Sequence, residues 1–217
     1  MSYSVLVTGS NGQLGIELSL IAKSSRNKFF FLPKEELDIT NDKDIRSQIE
    51  MNNINVIINC AAYTNVDEAE KNQELANSIN RYGVKKLVDA SIDYGIILIH
   101  ISTDYVFDGA SHVPYIENHR TNPKSIYGQS KLDGELEILD SEVKAIIIRT
   151  SWLYSNFGHN FLNSILSKAK SHKLISVIED QVGTPNNAGD LAQAIIKIIH
   201  HERFVASCQS REIFHFN

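Results

Sequence analysis

Tyr3-Ser4-Val5-Leu6-Val7-Thr8-Gly9-Ser10-Asn11-Gly12-Gln13-Leu14-Gly15 decides how the rest of the chain is read. Its first six residues make a short apolar strand. Ile16 to Lys23 then takes up helical spacing. The glycines at 9, 12 and 15 therefore stand at a strand-to-helix turn. Gly9 permits a tight turn, Gly12 lets a pyrophosphate approach the backbone, and Gly15 lets the helix lie close on the strand. Free N–H groups and the positive end of the helix dipole then face the phosphates. The spacing is G-x-x-G-x-x-G, not the G-x-G-x-x-G of many dehydrogenases. Ordinary glycine turns share such patterns; the placement between strand and helix is what favours a dinucleotide.

Outward from this turn, strands and helices alternate. A second strand runs from Lys28 to Leu32 and is stopped by Pro33. Thr40 or Asn41 caps a helix reaching Met51. Val56 to Cys60 is a third, buried strand, and Ala61-Ala62-Tyr63 turns off its end. A helical region spans Asp67 to Tyr94, broken near Gly83. Ile96 to Ile101 is a fourth strand, apolar on nearly every residue, as a central parallel strand should be. A long loop from Tyr105 to Lys124 leads to a helix from Ser125 to Leu139, and Ala145 to Arg149 is a fifth strand. Phe161 to Lys170 reads as helix, Leu174 to Ile178 as strand, Gly189 to His200 as helix and Ile213 to Phe216 as a short final strand. The expected fold is α/β, a Rossmann-type doubly wound parallel sheet with helices on both faces. Ligands of such sheets bind beyond the carboxyl ends of the strands. The informative residues do follow the strands: Gly9, Ala61-Ala62-Tyr63, Ser102-Thr103-Asp104 and Thr150-Ser151-Trp152.

The bulk composition narrows the function. A chain of 217 residues, 42% hydrophobic and 22% charged, suits one large soluble domain with a substantial core. A net charge of -5 without runs of like charge argues against nucleic acid as a partner. No apolar run has the length of a membrane helix, and the early first strand predicts no signal peptide. Two cysteines, Cys60 and Cys208, suit a reducing cytoplasm, with Cys60 expected as a small core residue. The eight histidines show no metal spacing, and no metal site is expected.

Tyr127 and Lys131 are one helical turn apart and share a face. An ammonium close to a phenol favours the phenolate and lowers its pKa, which fits tyrosine for acid–base work. Thr103, ending the fourth strand, can hydrogen-bond the same substrate oxygen. Together the three make a proton-transfer device for a carbonyl/alcohol pair, and Lys131 can also donate to ribose hydroxyls. Alone, Tyr-x-x-x-Lys is common by chance and reads more readily as a solvated pair on a surface helix; beside the glycine turn and Thr103 the balance reverses toward the catalytic reading.

Further segments carry a resemblance. They are Leu37-Asp38-Ile39-Thr40; Asn59-Cys60-Ala61-Ala62-Tyr63-Thr64-Asn65-Val66-Asp67-Glu68-Ala69-Glu70; Ile101-Ser102-Thr103-Asp104-Tyr105-Val106-Phe107-Asp108-Gly109; Tyr127-Gly128-Gln129-Ser130-Lys131; Arg149-Thr150-Ser151-Trp152-Leu153-Tyr154; and Asp180-Gln181-Val182-Gly183-Thr184-Pro185. With the glycine turn they resemble, in order, the extended short-chain dehydrogenase/reductases and within them the dTDP-4-dehydrorhamnose reductase family. Nucleotide-sugar dehydratases of this superfamily usually carry Asp-Glu after the threonine. Here Tyr105 follows Asp104, which favours ketone reduction over water elimination.

The resemblance implies the following roles. Gly9, Ser10, Asn11, Gly12, Gln13, Leu14 and Gly15 hold the pyrophosphate. Asp38 and Ile39 flank the adenine, and Ala61, Ala62 and Tyr63 line the cofactor cleft, which Tyr127 and Lys131 also reach. Hydride passes from the nicotinamide to C4 of a 4-keto deoxysugar nucleotide while Tyr127 protonates the alkoxide and Thr103 polarises the ketone. Asp104, Tyr105, Val106 and Trp152 complete the substrate side. Lys34, after Pro33, stands where it can meet a 2′-phosphate, so NADPH is the expected cofactor, with NADH tolerated; a solvated surface lysine is the other reading. Residues 1–152 form the expected dinucleotide-binding domain with the catalytic Tyr/Lys, and 153–217 a small, partial substrate-binding region interleaved with the sheet. The family pattern continues past the segment resembling Arg211 to Phe216, and that further part supplies much of the sugar-nucleotide pocket. Asn186-Asn187 also stands where the family usually has a threonine after Pro185. A reductase of another 4-keto sugar nucleotide, and a non-catalytic NADP-binding regulatory subunit, stay open as readings. The expected partner is a small nucleotide sugar, a homodimer being compatible with the resemblance.

Overall fold

Short apolar strands separated by helices with one apolar face can bury both kinds of surface only in layers. The computed structural model, which describes residues 2–177, 181–201 and 211–217, has that arrangement. In chain order the main elements are β1 (Ser4–Thr8), α1 (Gln13–Ile21), β2 (Lys28–Leu32), α2 (Asp42–Asn52), β3 (Val56–Asn59), α3 (Val66–Lys71), α4 (Gln73–Asn77) and α5 (Val84–Tyr94). They continue with β4 (Ile97–Thr103), α6 (Ile126–Leu139), β5 (Lys144–Thr150), β6 (Leu153–Tyr154), α7 (Phe161–Ser171), β7 (Asn186–Asn187), α8 (Ala188–His200) and β8 (Arg211–Phe216). Between α4 and α5 one π-helical segment spans Ser78–Gly83.

Six strands form a parallel sheet in the order β2-β1-β3-β4-β5-β8. The order reverses between β1 and β3, so a crevice opens above their carboxyl ends. One face of the sheet (Val5, Val7, Val56, Ile58, Ile97 and Ile99) packs on Leu14 and Leu18 of α1 and on Leu191, Ile195 and Ile199 of α8. The other face (Leu6, Ile57, Leu98 and Ile147) packs on Ile45 and Ile49 of α2, Leu87 of α5 and Ile138 of α6. Helix starts are fixed by side-chain caps: Asn41 accepts from Lys43 N–H, Ser125 from Gly128 N–H, and Asn187 from Gly189 and Asp190 N–H.

The expected α/β doubly wound sheet is present, with three differences of detail. β3 ends at Asn59, so Cys60 lies beyond it and is half-buried, not a core strand residue; Cys208 lies outside the described residues. The strand expected from Leu174 is absent over 174–177, and Leu174 is 84% exposed. Its apolar residues suggest a strand, but the position beside β5 is held by β8; Ile178 lies outside the described residues. Finally, β6 and β7 pair as a small separate ladder. Asn186 is buried there, and its amide donates to Thr150 Oγ1, to the Ser151 and Phe216 carbonyls and to Ser151 Oγ. The asparagine pair thus stitches β7 to the ends of β5 and β8 and caps α8.

Candidate active site

The glycine turn is built as its residue types require. Gly9 has φ +63°, and a Cβ there would lie 2.7 Å from Ala61 Cα and N. A Cβ on Gly15 would lie 2.6 Å from Ser10 Cα. Gly12 N–H bonds the Gly9 carbonyl at 3.0 Å, and Gly12 is the exposed N-cap of α1, with no side-chain cap. The amides opening α1 are therefore left to a ligand. The loops after β1 and β3 touch at the switch point, where the turn fits a dinucleotide pyrophosphate. Asn11 is exposed and Ser10 half-exposed, whereas the side chains of Leu14 and Ile39 are core, Ile39 against Gly83. Gln13's amide is engaged elsewhere: it donates to the Leu153 carbonyl at 3.4 Å and accepts from Asn160 at 2.9 Å. Asp38 is half-buried; burial works against its charge, but the Thr40 N–H and hydroxyl hold its carboxyl below the usual range, helped by Lys34.

Ala61, Ala62 and Tyr63 are half-buried beyond β3. Asn80, in the π segment, grips Tyr63 at both ends. Its carbonyl accepts Tyr63 N–H at 2.9 Å, and its amide donates to the Tyr63 carbonyl at 3.0 Å and to Ser130 Oγ at 2.9 Å. Ser130 donates to the Tyr127 carbonyl. The π turn, the cleft wall and α6 are thereby joined.

Tyr127 and Lys131 lie on the face of α6 toward the sheet, both buried. Thr103 ends β4; its hydroxyl donates to Asp104 Oδ1 at 3.1 Å and accepts Tyr105 N–H at 3.2 Å. The Tyr105 and Tyr127 rings meet edge-on at 5.6 Å. Burial pushes the Tyr127 phenol up to about 12; the hydrogen bond with Thr103 opposes this, and Asp104 and Tyr105 add to it. The expected lowering of the phenol by an adjacent ammonium is therefore corrected: the charge beside it is Asp104, itself pushed up by burial. Lys131 Nζ instead donates to the Ile101 carbonyl at 2.7 Å and stands 3.3 Å from His100 Nε2. Burial draws the Lys131 ammonium down to about 8, with Glu135 and Cys60 opposing. Burial also pushes the Cys60 thiol up to about 12.

On the substrate side, Asp104 and Tyr105 are half-buried. Val106 is fully buried, so its expected place against the sugar is corrected: its side chain is packing. Trp152 is 37% exposed at φ 40°, with its ring over Gly183, where a Cβ would come within 2.6 Å. Asp180, from the quoted motif, lies outside the described residues. Sequence reasoning missed Asn80, His100 and the buried Glu135–Arg149 pair. Glu135 repeats the Tyr127–Lys131 spacing, and that signal was readable; the others carried none.

The family described as RmlD substrate binding domain matches residues 3–217. A dTDP-4-dehydrorhamnose reductase from Aggregatibacter actinomycetemcomitans is 40% identical over 213 residues, covering 98% of this chain and 72% of the relative. A dTDP-4-keto-6-deoxy-D-glucose reductase from Streptomyces niveus is 36% identical, covering 90% of this chain and 68% of the relative. The crystal structure of dTDP-4-dehydrorhamnose reductase from Bacillus anthracis in complex with NADP superposes with a TM-score of 0.92 at 38% identity, over all of this chain and 75% of that one. This chain belongs to the dTDP-4-dehydrorhamnose reductase family.

Proposed function

We propose that the protein reduces the C4 ketone of dTDP-4-dehydro-L-rhamnose to dTDP-L-rhamnose with NADPH, a step in supplying deoxysugars for cell-surface polysaccharide. The observation that carries this reading is the hydrogen bond between Thr103 at the end of β4 and the buried Tyr127, with buried Lys131 one turn along the same helix, in a chain of this family. The amides of Gln13, Leu14 and Gly15 receive the pyrophosphate, and Lys34 meets the 2′-phosphate. When bound, NADPH supplies the hydride that reaches C4.

The chain's own residues move the proton. Tyr127, held as a neutral phenol by burial, donates its O–H proton to the oxygen that C4 leaves negative. Tyr127 becomes a phenolate, and Lys131, one turn further along the same face of α6, donates to the ribose hydroxyls of the cofactor. Thr103 hydrogen-bonds the phenol at the end of β4 and donates to Asp104. Trp152 presents its ring to the sugar, and residues 153–217 contribute to the substrate side. The half-buried, unpaired Cys60 thiol suits the reducing cytoplasm.

The test follows NADPH absorbance on addition of dTDP-4-dehydro-L-rhamnose. Oxidation is expected, and Tyr127→Phe should abolish it while cofactor binding persists. No oxidation by protein shown to hold NADPH sinks the proposal. The Streptomyces relative favours a second reading, reduction of a different 4-keto deoxysugar nucleotide; turnover of that sugar in preference to the rhamnose precursor selects it.

A further inference from the structure

We infer that His100 is a positioning residue for Lys131, and that the buried row Thr8–Asn59–His100 fixes which ring nitrogen of His100 presents a proton to the amine. This rests on the reading of Lys131 above and deepens it. The three residues sit side by side on adjacent strands: Thr8 is in register with Asn59, and Asn59 with His100. Each is at most 1% exposed, and all lie on the sheet face that α6 covers. Polar groups at such depth are costly unless every donor and acceptor is matched.

The matching can be counted from the crevice inward. Ala61 N–H donates to Thr8 Oγ1 at 3.3 Å, and the Thr8 hydroxyl donates to Asn59 Oδ1 at 2.7 Å. The Asn59 carbonyl is thereby turned toward Thr8, and its amide nitrogen toward His100 Nδ1 at 3.0 Å. An NH2 group can only donate, so Nδ1 accepts. Burial, and then the charge of Lys131, hold the His100 imidazole well below its ordinary pKa, so the ring is neutral. A neutral ring that accepts at Nδ1 carries its proton on Nε2, 3.3 Å from Lys131 Nζ.

A donor N–H is thus aimed at the lysine nitrogen. It suits a neutral amine, which has a lone pair to offer, and opposes an ammonium. The Ile101 carbonyl meanwhile holds Nζ in place. The other groups acting on Lys131 are Glu135, one turn further along α6, and Cys60 beyond β3; both favour the charge. Glu135 is itself clasped by Arg149 of β5, and Tyr127 lies one turn back along α6. The row therefore loosens the proton on Lys131 without releasing the side chain, and links that setting to the Ala61 amide in the cofactor wall.

Two measurements test this. In uniformly 15N-labelled protein, long-range 1H–15N correlations report each histidine's tautomer, and His100→Leu identifies the signal. The Nε2–H tautomer is expected near neutral pH; an Nδ1–H ring or an imidazolium overturns the inference. In the pH profile of kcat with NADPH and dTDP-4-dehydro-L-rhamnose, His100→Leu should move the alkaline limb up by about one pH unit. Thr8→Val, two hydrogen bonds away from the ring, should move it the same way by less. A limb that stays or moves down overturns the inference, since a merely structural row would lower stability and leave the limb in place. If His100→Leu does not fold, Thr8→Val and the tautomer decide. The tautomer needs no turnover, so inactive wild-type protein overturns the reductase reading alone.

Discussion

Lys131 concentrates the conflict between function and stability at one residue. Its ammonium is 2% exposed and loses hydration, while the Ile101 carbonyl and Glu135 return only part of that loss. Lys131→Met keeps the volume and removes the buried charge. Turnover should fall by about 100-fold or more, while stability near neutral pH rises by about 1–2 kcal/mol. The pH dependence gives the sign. The native pKa lies near 8 against an unperturbed 10.5, so between these values the unfolded chain binds more protons than the native one. Wild-type stability should therefore rise with pH across that window, and that of Lys131→Met should lack this rise. Urea midpoints at the two ends of the window check it; equal slopes for both proteins would mean that Lys131 is not desolvated. Above the same pKa the wild type loses the Lys131 ammonium that the proposed reaction uses, so kcat should decline there as stability improves.

Helix α6 carries Tyr127 and Lys131, and two glycines set how closely it approaches its neighbours. A Cβ on Gly134 would come within 2.2 Å of the Asn80 carbonyl, and one on Gly128 within 2.3 Å of the Tyr105 carbonyl. Gly134→Ala must push α6 off the π segment; it should cost about 2–3 kcal/mol and loosen the Asn80 grip on Tyr63. Thermal unfolding together with NADPH affinity checks this, with both expected to fall. The glycine turn, by contrast, was legible because its demands are local: a positive φ at Gly9 and close backbone contacts at Gly9 and Gly15 can be read from three residue types in order. Thr103, Tyr127 and Lys131 were legible through strand end and helical spacing. The row at 8, 59 and 100 was not, because each residue is one polar position in an apolar strand and only lateral register joins them. The π segment left no periodic signal, so Asn80 went unseen. Leu174 to Val177 is a short apolar run of the kind that reads as a strand, yet it lies outside the sheet, where β8 pairs with β5.

Across the whole molecule, helix α6 is locked to the sheet by a buried charge pair. Arg149 of β5 clasps Glu135 of α6 through two hydrogen bonds, at 2.9 and 2.6 Å, and Ser102 of β4 donates to the same carboxylate. The guanidinium also lies over the Phe107 ring and reaches the Glu117 carbonyl at 3.4 Å, binding the 105–124 loop to the same point. Such pairs add little over an apolar equivalent, but a single deletion strands a charge without solvent. Glu135→Gln should cost about 3–5 kcal/mol and lower the Lys131 pKa further, since Glu135 supports that ammonium. The double variant Glu135→Leu/Arg149→Met removes both charges and should regain most of the lost stability. Its Lys131 should still titrate below the wild-type value, so its alkaline limb stays depressed although its urea midpoint recovers. Recovery of both together would mean that Glu135 acts on the reaction only by holding α6 in place; recovery of stability alone separates its electrostatic from its mechanical role.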